Sequence, residues 1–158
     1  MDATLLNTFF GVDATWTDVL ISRLAIFHLQ ITLLLAIPDL FMRFVLKKPN
    51  TCRWYYLHAF ANALVCYYTW WPALQVVLDP IHEITNLTFF EESSCIVTVM
   101  HLYHLFFFDC NAGDWFHHIA FVAVGITSQY AVNFGNLTAL YHFFICGLPG
   151  GIDYLILG

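Results

Sequence analysis

The sequence is short of charge. Asp, Glu, Lys and Arg make up 10% of its 158 residues, where an ordinary soluble domain carries roughly 25%. A chain that is also 60% hydrophobic, with a mean hydropathy of +0.71, has too few charges to cover a water-facing surface. Basic residues are scarcest, 5 against 11 acidic ones for a net charge of −6. No basic patch interleaved with aromatics exists, which argues against a nucleic-acid partner. The five cysteines, Cys52, Cys66, Cys95, Cys110 and Cys146, contain no C-x-x-C pair. They predict neither a disulfide nor a zinc site. Met1 to Val12 lack a basic n-region and no Arg-rich stretch follows. A cleaved signal or transit peptide is therefore not expected, and the first helix serves as the insertion signal. Alternation at period 2 is weak and the apolar runs are too long for barrel strands. No internal repeat or low-complexity tract divides the chain, so 1–158 reads as a single domain. It stops at Leu155-Ile156-Leu157-Gly158 without a polar tail, and the fold is expected to continue past that point.

What remains is long apolar sequence. No charged residue lies between Arg53 and Asp79, between Glu92 and Asp109, or between Asp114 and Asp153. A membrane-spanning helix needs about 20 apolar residues. The first gap holds one such helix, the second is marginal, and the third holds two if Asn133-Phe134-Gly135-Asn136 is a break. The expected fold is an all-α transmembrane bundle of about five helices, near Asp18–Leu46, Cys52–Leu78, Ser93–Phe108, Asp114–Val132 and Gly135–Leu157. Four of the five basic residues, Arg43, Lys47, Lys48 and Arg53, sit in or beside the first connection. The positive-inside rule puts that connection on the cytoplasmic or matrix side. The acidic 79–92 loop and both sequons, at Asn86 and Asn136, then lie on the outer side.

Polar residues inside apolar helices are costly and ask for partners. Asp39 and Arg43 are spaced to pair at i,i+4, just after Pro38, which should kink the helix. His28 and Gln30 are candidates for interhelical hydrogen bonds. Trp54, His58 and Asn62 share one helix face, as do His101 and His104. Asp114 stands at i−3 and i−4 to His117 and His118, where it is also a candidate N-cap. His142 precedes the run Gly147-Leu148-Pro149-Gly150-Gly151 and Asp153. The glycines permit close helix packing or a kink, and the many aromatics suit interfacial belts. Six imidazoles scattered towards lipid would be expensive. One interior polar cavity holding His58, His101, His104, His117, His118 and His142, with Asn62 and Asp153, removes that cost. Such a cavity suits lipid head groups, or proton transfer near neutrality.

The stretch Asp114-Trp115-Phe116-His117-His118, the later Ser128, Tyr130 and Asn133, and a helix with His142 together resemble the TLC domain of the TRAM, Lag1 and CLN8 proteins, which includes ceramide synthases. Trp54 and His58 are similar to the Trp and His of that family's opening core helix. The resemblance covers roughly 53–157. It implies an endoplasmic reticulum membrane protein, with the mitochondrial inner membrane as the alternative. It also implies acyl transfer from an acyl-CoA thioester to a lipid amine or hydroxyl. His117 and His118 would be the reactive pair, His58 and His142 would support them, and Asp114 or Asp153 would orient an imidazole. The chain departs from the ceramide synthase pattern in having Phe143, not Asp, after His142. The first expectation is therefore a protein that binds or handles membrane lipids, or an accessory subunit among other membrane subunits. Acyl transfer is the second. A histidine-rich metal or haem protein is the third, since His101-x-x-His104 and His117-His118 have only part of the required spacing.

Overall fold

A computed structural model of the protein describes residues 14–85, 91–126 and 134–158. Every regular element among the described residues is helical. Helix α1 (Ala14–Leu40) runs into a π-helical turn at Phe41–Val45; α2 is Asn50–Leu78 and α3 is Pro80–Thr85. Helix α4 is Glu91–Phe107, and α5 (Ala112–His118) continues as a π segment, Ile119–Ile126. Helix α6 (Asn136–His142) passes through a π turn, Phe143–Gly147, into α7 (Leu148–Leu157). The helical stretches fall where the five apolar segments were expected. Two of them, Arg23–Val45 and Asn136–Leu157, are long and apolar enough to cross a membrane. Only 17% and 11% of their most apolar windows are buried, unlike the mostly buried core helix of a soluble domain. Many of their leucines, isoleucines and phenylalanines face outwards, among them Leu29, Leu33, Ile37, Phe144, Ile152 and Ile156.

Helix α2 is the spine of the bundle. Arg53, Leu57, Ala61, Val65, Thr69, Ala73 and Val76 are buried at i,i+4 or i,i+3 spacing, which makes one continuous stripe along the helix. Against that stripe lie Ile31 and Leu35 of α1 and Ile96, Val99, Met100 and Tyr103 of α4. Helices α6 and α7 pack on its other flank. Close approach there depends on small residues. A Cβ added at Gly147 would meet Cys66 Sγ at 3.1 Å and Val65 Cγ1 at 3.3 Å.

The head of the stripe is a buried ion pair. Arg53 Nε donates to Asp39 Oδ1 at 2.7 Å and a terminal nitrogen donates to Asp39 Oδ2 at 2.6 Å. Both side chains are 2% exposed. Tyr103 Oη–H donates to the same carboxylate at 2.9 Å, Arg53 also donates to Asn50 Oδ1, and its guanidinium lies 4.9 Å from the Phe108 ring centroid. Asp39 therefore pairs across helices with Arg53, not with Arg43 as the i,i+4 spacing suggested. The α-helix holding Asp39 widens into a π turn at Phe41, which carries Arg43 round to an exposed position over the Phe44 ring. That widening three residues after Pro38 is also where the expected irregularity of α1 falls. Lys47 ends the segment in the left-handed region, φ 51°. Lys48 N–H then donates to Met42 O, and extended Pro49 starts α2.

Two further expectations also change. Asn111, not Asp114, is the N-cap of α5: its side chain accepts from the Gly113 and Asp114 amides. Asp114 completes the capping box by accepting from Asn111 N–H at 2.9 Å. Asn136, expected on the outer face as a glycan acceptor, is 4% exposed and its amide donates to buried Glu83 of α3. The Asn86 sequon lies outside the described residues.

Breaking the Arg53–Asp39 pair from one side leaves an uncompensated buried charge. Arg53→Ala or Asp39→Ala should each cost about 3–5 kcal/mol, read as a fall in the thermal midpoint in detergent or nanodiscs. An Arg53→Met/Asp39→Leu double variant should recover most of that loss. Separately, expression in a glycosylating host followed by intact-mass and peptide mapping should find Asn136 unmodified in the folded protein. A glycan there could not coexist with the Glu83 contact.

Candidate functional site

Helices α2, α4, α5 with its π extension, α6 and α7 enclose a cavity of about 240 Å³. Its polar lining comes from His58 and Asn62 of α2, His101 of α4, His117 of α5, Tyr141 and His142 of α6, Cys146 of the π turn that follows, and Asp153 and Tyr154 of α7. The rest is apolar, including Val65, Ile96, Met100, Phe121 and Ile145. Six of the residues singled out in the sequence thus meet. His104 and His118 do not line the cavity; they are 1% and 3% exposed and pack behind it. Asp114 is not part of it either, because its carboxylate is held in the α5 capping box and only its backbone carbonyl accepts from His118.

The histidines share one local device. His58 Nδ1 lies 2.8 Å from Trp54 O and His101 Nδ1 lies 2.7 Å from Val97 O, each an i−4 carbonyl. His118 makes the same contact with Asp114 O, and His28, far from the cavity, makes it with Leu24 O. An apolar helix offers an imidazole few other partners, so the ring folds back on its own backbone. His142 differs: its Nδ1 is 2.8 Å from Ser93 Oγ, a fully buried hydroxyl of α4.

Two assemblies follow from this anchoring. The first is a column of rings, Trp54 on His104 at 4.0 Å between centroids, His104 on His58 at 4.2 Å, and His58 on Tyr154 at 4.2 Å. It ties α2, α4 and α7 into one wall of the cavity. The second is an imidazole pair: His101 Nε2 and His117 Nε2 stand 3.0 Å apart with their rings stacked at 5.0 Å. His117 was expected to work with its sequence neighbour His118. Instead the two rings are perpendicular at 5.6 Å, since adjacent positions on a helix point about 100° apart. His117 faces the cavity and His118 the packed interior. The Nε2 atoms of His104, His118 and His142 are sealed without a hydrogen-bond partner. For His118 that atom is a bare acceptor, which costs less to leave alone than an unmade donor.

Tyr154 and Ser93 were missed in the sequence. Tyr154 continues the spacing of Gly147 and Gly151 at i+7 and i+3, the face that α7 turns to α2. Ser93 opens an apolar helix as part of a Ser-Ser pair, a signal that read as a helix start. Among the described residues no three His, Cys, Asp or Glu side chains form a group able to hold a metal ion. At Cys110, in the α4–α5 connection, burial pushes the thiol above its ordinary pKa, and Asp114 and Asp109 push it further. Comparison with protein families, with curated proteins and with solved structures returned no match.

The glycine run sets how closely the last helices approach α2. At Gly147 an added methyl would crowd Cys66, Val65 and the His142 carbonyl between 3.1 and 3.3 Å, whereas at Gly151 it would meet Asn62 Cβ at an ordinary 3.5 Å. Gly147→Ala should therefore destabilise by about 1–3 kcal/mol, and Gly151→Ala should stay within about 0.5 kcal/mol. Parallel thermal unfolding of the two variants measures the difference.

Proposed function

We propose that the protein is a multi-pass, TLC-like membrane protein, with five spanning helices, that binds a lipid by its polar end in the histidine-lined cavity. The observation that carries this reading is the convergence of polar side chains from separate helices on one small cavity, in a bundle whose exterior is apolar. Membrane-embedded polar groups mark sites where something polar is bound or moved. The volume is just under the range of about 300–1,000 Å³ usual for whole small ligands. It suits a head group or a short chain segment, with the rest of the lipid lying along the outer helices.

The second reading, acyl transfer from acyl-CoA to a lipid hydroxyl or amine, draws on the His101–His117 contact. A base held by a hydrogen bond to a second, anchored group is the arrangement general-base catalysis uses. In this reading His117 is the base, His101 its positioning residue, and His142 and Asp153 lie within the same cavity. The endoplasmic reticulum remains the expected location.

Gentle purification from the native membrane, native mass spectrometry and lipid extraction test the first reading. The expected result is a monomer or small homo-oligomer that carries co-purified lipid, and His58→Ala and His117→Ala variants that carry several-fold less. Recovery at fixed stoichiometry within a large assembly, with lipid content unchanged by those substitutions, would replace it with an accessory-subunit role. For the second reading, labelled acyl-CoA and membrane lipids should give an acylated lipid, and His117→Ala should lower its rate about 10²–10⁴-fold.

A further inference from the structure

The cavity's hydrogen-bonding sense can be worked out from the backbone inwards. A carbonyl oxygen only accepts, so the ring nitrogen facing it must carry the hydrogen. A neutral imidazole has one N–H. His58 and His101 spend theirs at Nδ1, on Trp54 O and Val97 O, and their Nε2 atoms are left as bare lone pairs. The 3.0 Å contact between His101 Nε2 and His117 Nε2 needs one hydrogen between two nitrogens. His101 has none to give there, so His117 Nε2–H donates. That leaves His117, the more exposed ring of the two, with Nδ1 bare.

The polar lining is therefore mainly accepting. His58 and His117, which line it, each keep one lone pair, at Nε2 and Nδ1, and Asp153 adds a carboxylate. Asn62 contributes an amide that both donates and accepts, and the Tyr141 and Tyr154 hydroxyls can do either. Among the described residues no Lys or Arg lines the cavity. A carboxylate or phosphate head group would meet lone pairs and a like charge. An ester would bring acceptors to acceptors. A hydroxyl supplies the missing hydrogen, and being neutral it enters an apolar cavity more cheaply than an ammonium.

On the lipid-binding reading above, we infer that the ligand is a lipid alcohol: a long apolar chain ending in an O–H that donates into the His58–His117–Asp153 side of the cavity, with His101 fixing which way the hydrogen bond runs. The chain end nearest the hydroxyl packs on Val65, Ile96, Met100 and Phe121.

Two measurements test this. Long-range ¹⁵N–¹H correlation on histidine-labelled protein reads each tautomer directly. His58 and His101 should be protonated at Nδ1 and His117 at Nε2, with a scalar coupling across the His117–His101 hydrogen bond. His117 found with its proton on Nδ1 would overturn the inference. The second measurement keeps the chain constant and varies the head: oleyl alcohol, methyl oleate, oleate and oleylamine, each titrated into the detergent-solubilised protein. The alcohol should bind about tenfold or more tighter than the ester and the carboxylate, the worth of one buried hydrogen bond. His117→Phe, which keeps a ring but no acceptor, should erase that preference. Oleylamine binding above the alcohol would uphold the donor rule and make the source a lipid amine drawn by Asp153. Equal binding of all four would overturn the donor rule and leave lipid binding standing. Binding of none would remove both.

Discussion

The bundle hangs on one buried ion pair. Arg53 and Asp39 join α1 to α2 at their connected ends, and Tyr103 brings α4 to the same carboxylate. Two charges out of water are stable only when nearly every donor and acceptor is met, and here the carboxylate takes three hydrogen bonds while the guanidinium also reaches Asn50 and covers Phe108. Registration follows from that demand. With Arg53 fixed, the i+4 stripe Leu57, Ala61, Val65 and Thr69 is aimed into the bundle, and Trp54 and His58, one position along, are turned towards α4 and α7. His58 therefore takes its direction from a polar cluster more than one helical turn away. The same pairing withdraws Arg53 from the surface count and leaves Arg43, Lys47 and Lys48 exposed at the first connection.

Much of this was legible in composition and spacing. The apolar runs marked the helices, because length and lack of charge decide where helix can persist away from water. The break before Asn136 was readable from Gly135, which takes φ 55° at the start of α6. His58, Asn62, His101, His117, His142 and Asp153 were readable as one group, because each is a polar interruption of an apolar helix. The misreadings came from contacts between positions far apart in the chain. Asp39 had a good local partner in Arg43 and a better distant one in Arg53. Asn136 looked like a surface acceptor until Glu83, 53 residues earlier, covered it. Asp114 looked like a cap or an orienting acid, and Asn111 already held the cap position. Neighbours in sequence also misled at His117 and His118, where helix rotation sends one ring to the cavity and the other to the core.

The π segments explain how polar and apolar demands are met on the same helix. Each begins within two residues of a key polar side chain: Phe41 follows Asp39, Ile119 follows His118, and Phe143 follows His142. A π turn widens the i→i+4 ladder to i→i+5 and is often found at functional positions. Its effect is to reset which face the next residues present. Asp39 can point inwards while Phe41 and Phe44 point out; His142 can reach Ser93 while Phe144 and Ile145 stay exposed. A regular helix would force those residues onto faces set by the 3.6-residue repeat. The hydrogen bonds loosened by each π turn are the local cost of that freedom. They are offset by what the reset secures: an ion pair at the first connection, a histidine pair beside the cavity, and a glycine-lined approach of α7 to α2. The π turn in each helix and the chemistry of the cavity thus have one cause, the need to turn a few polar groups inwards without turning their apolar neighbours with them.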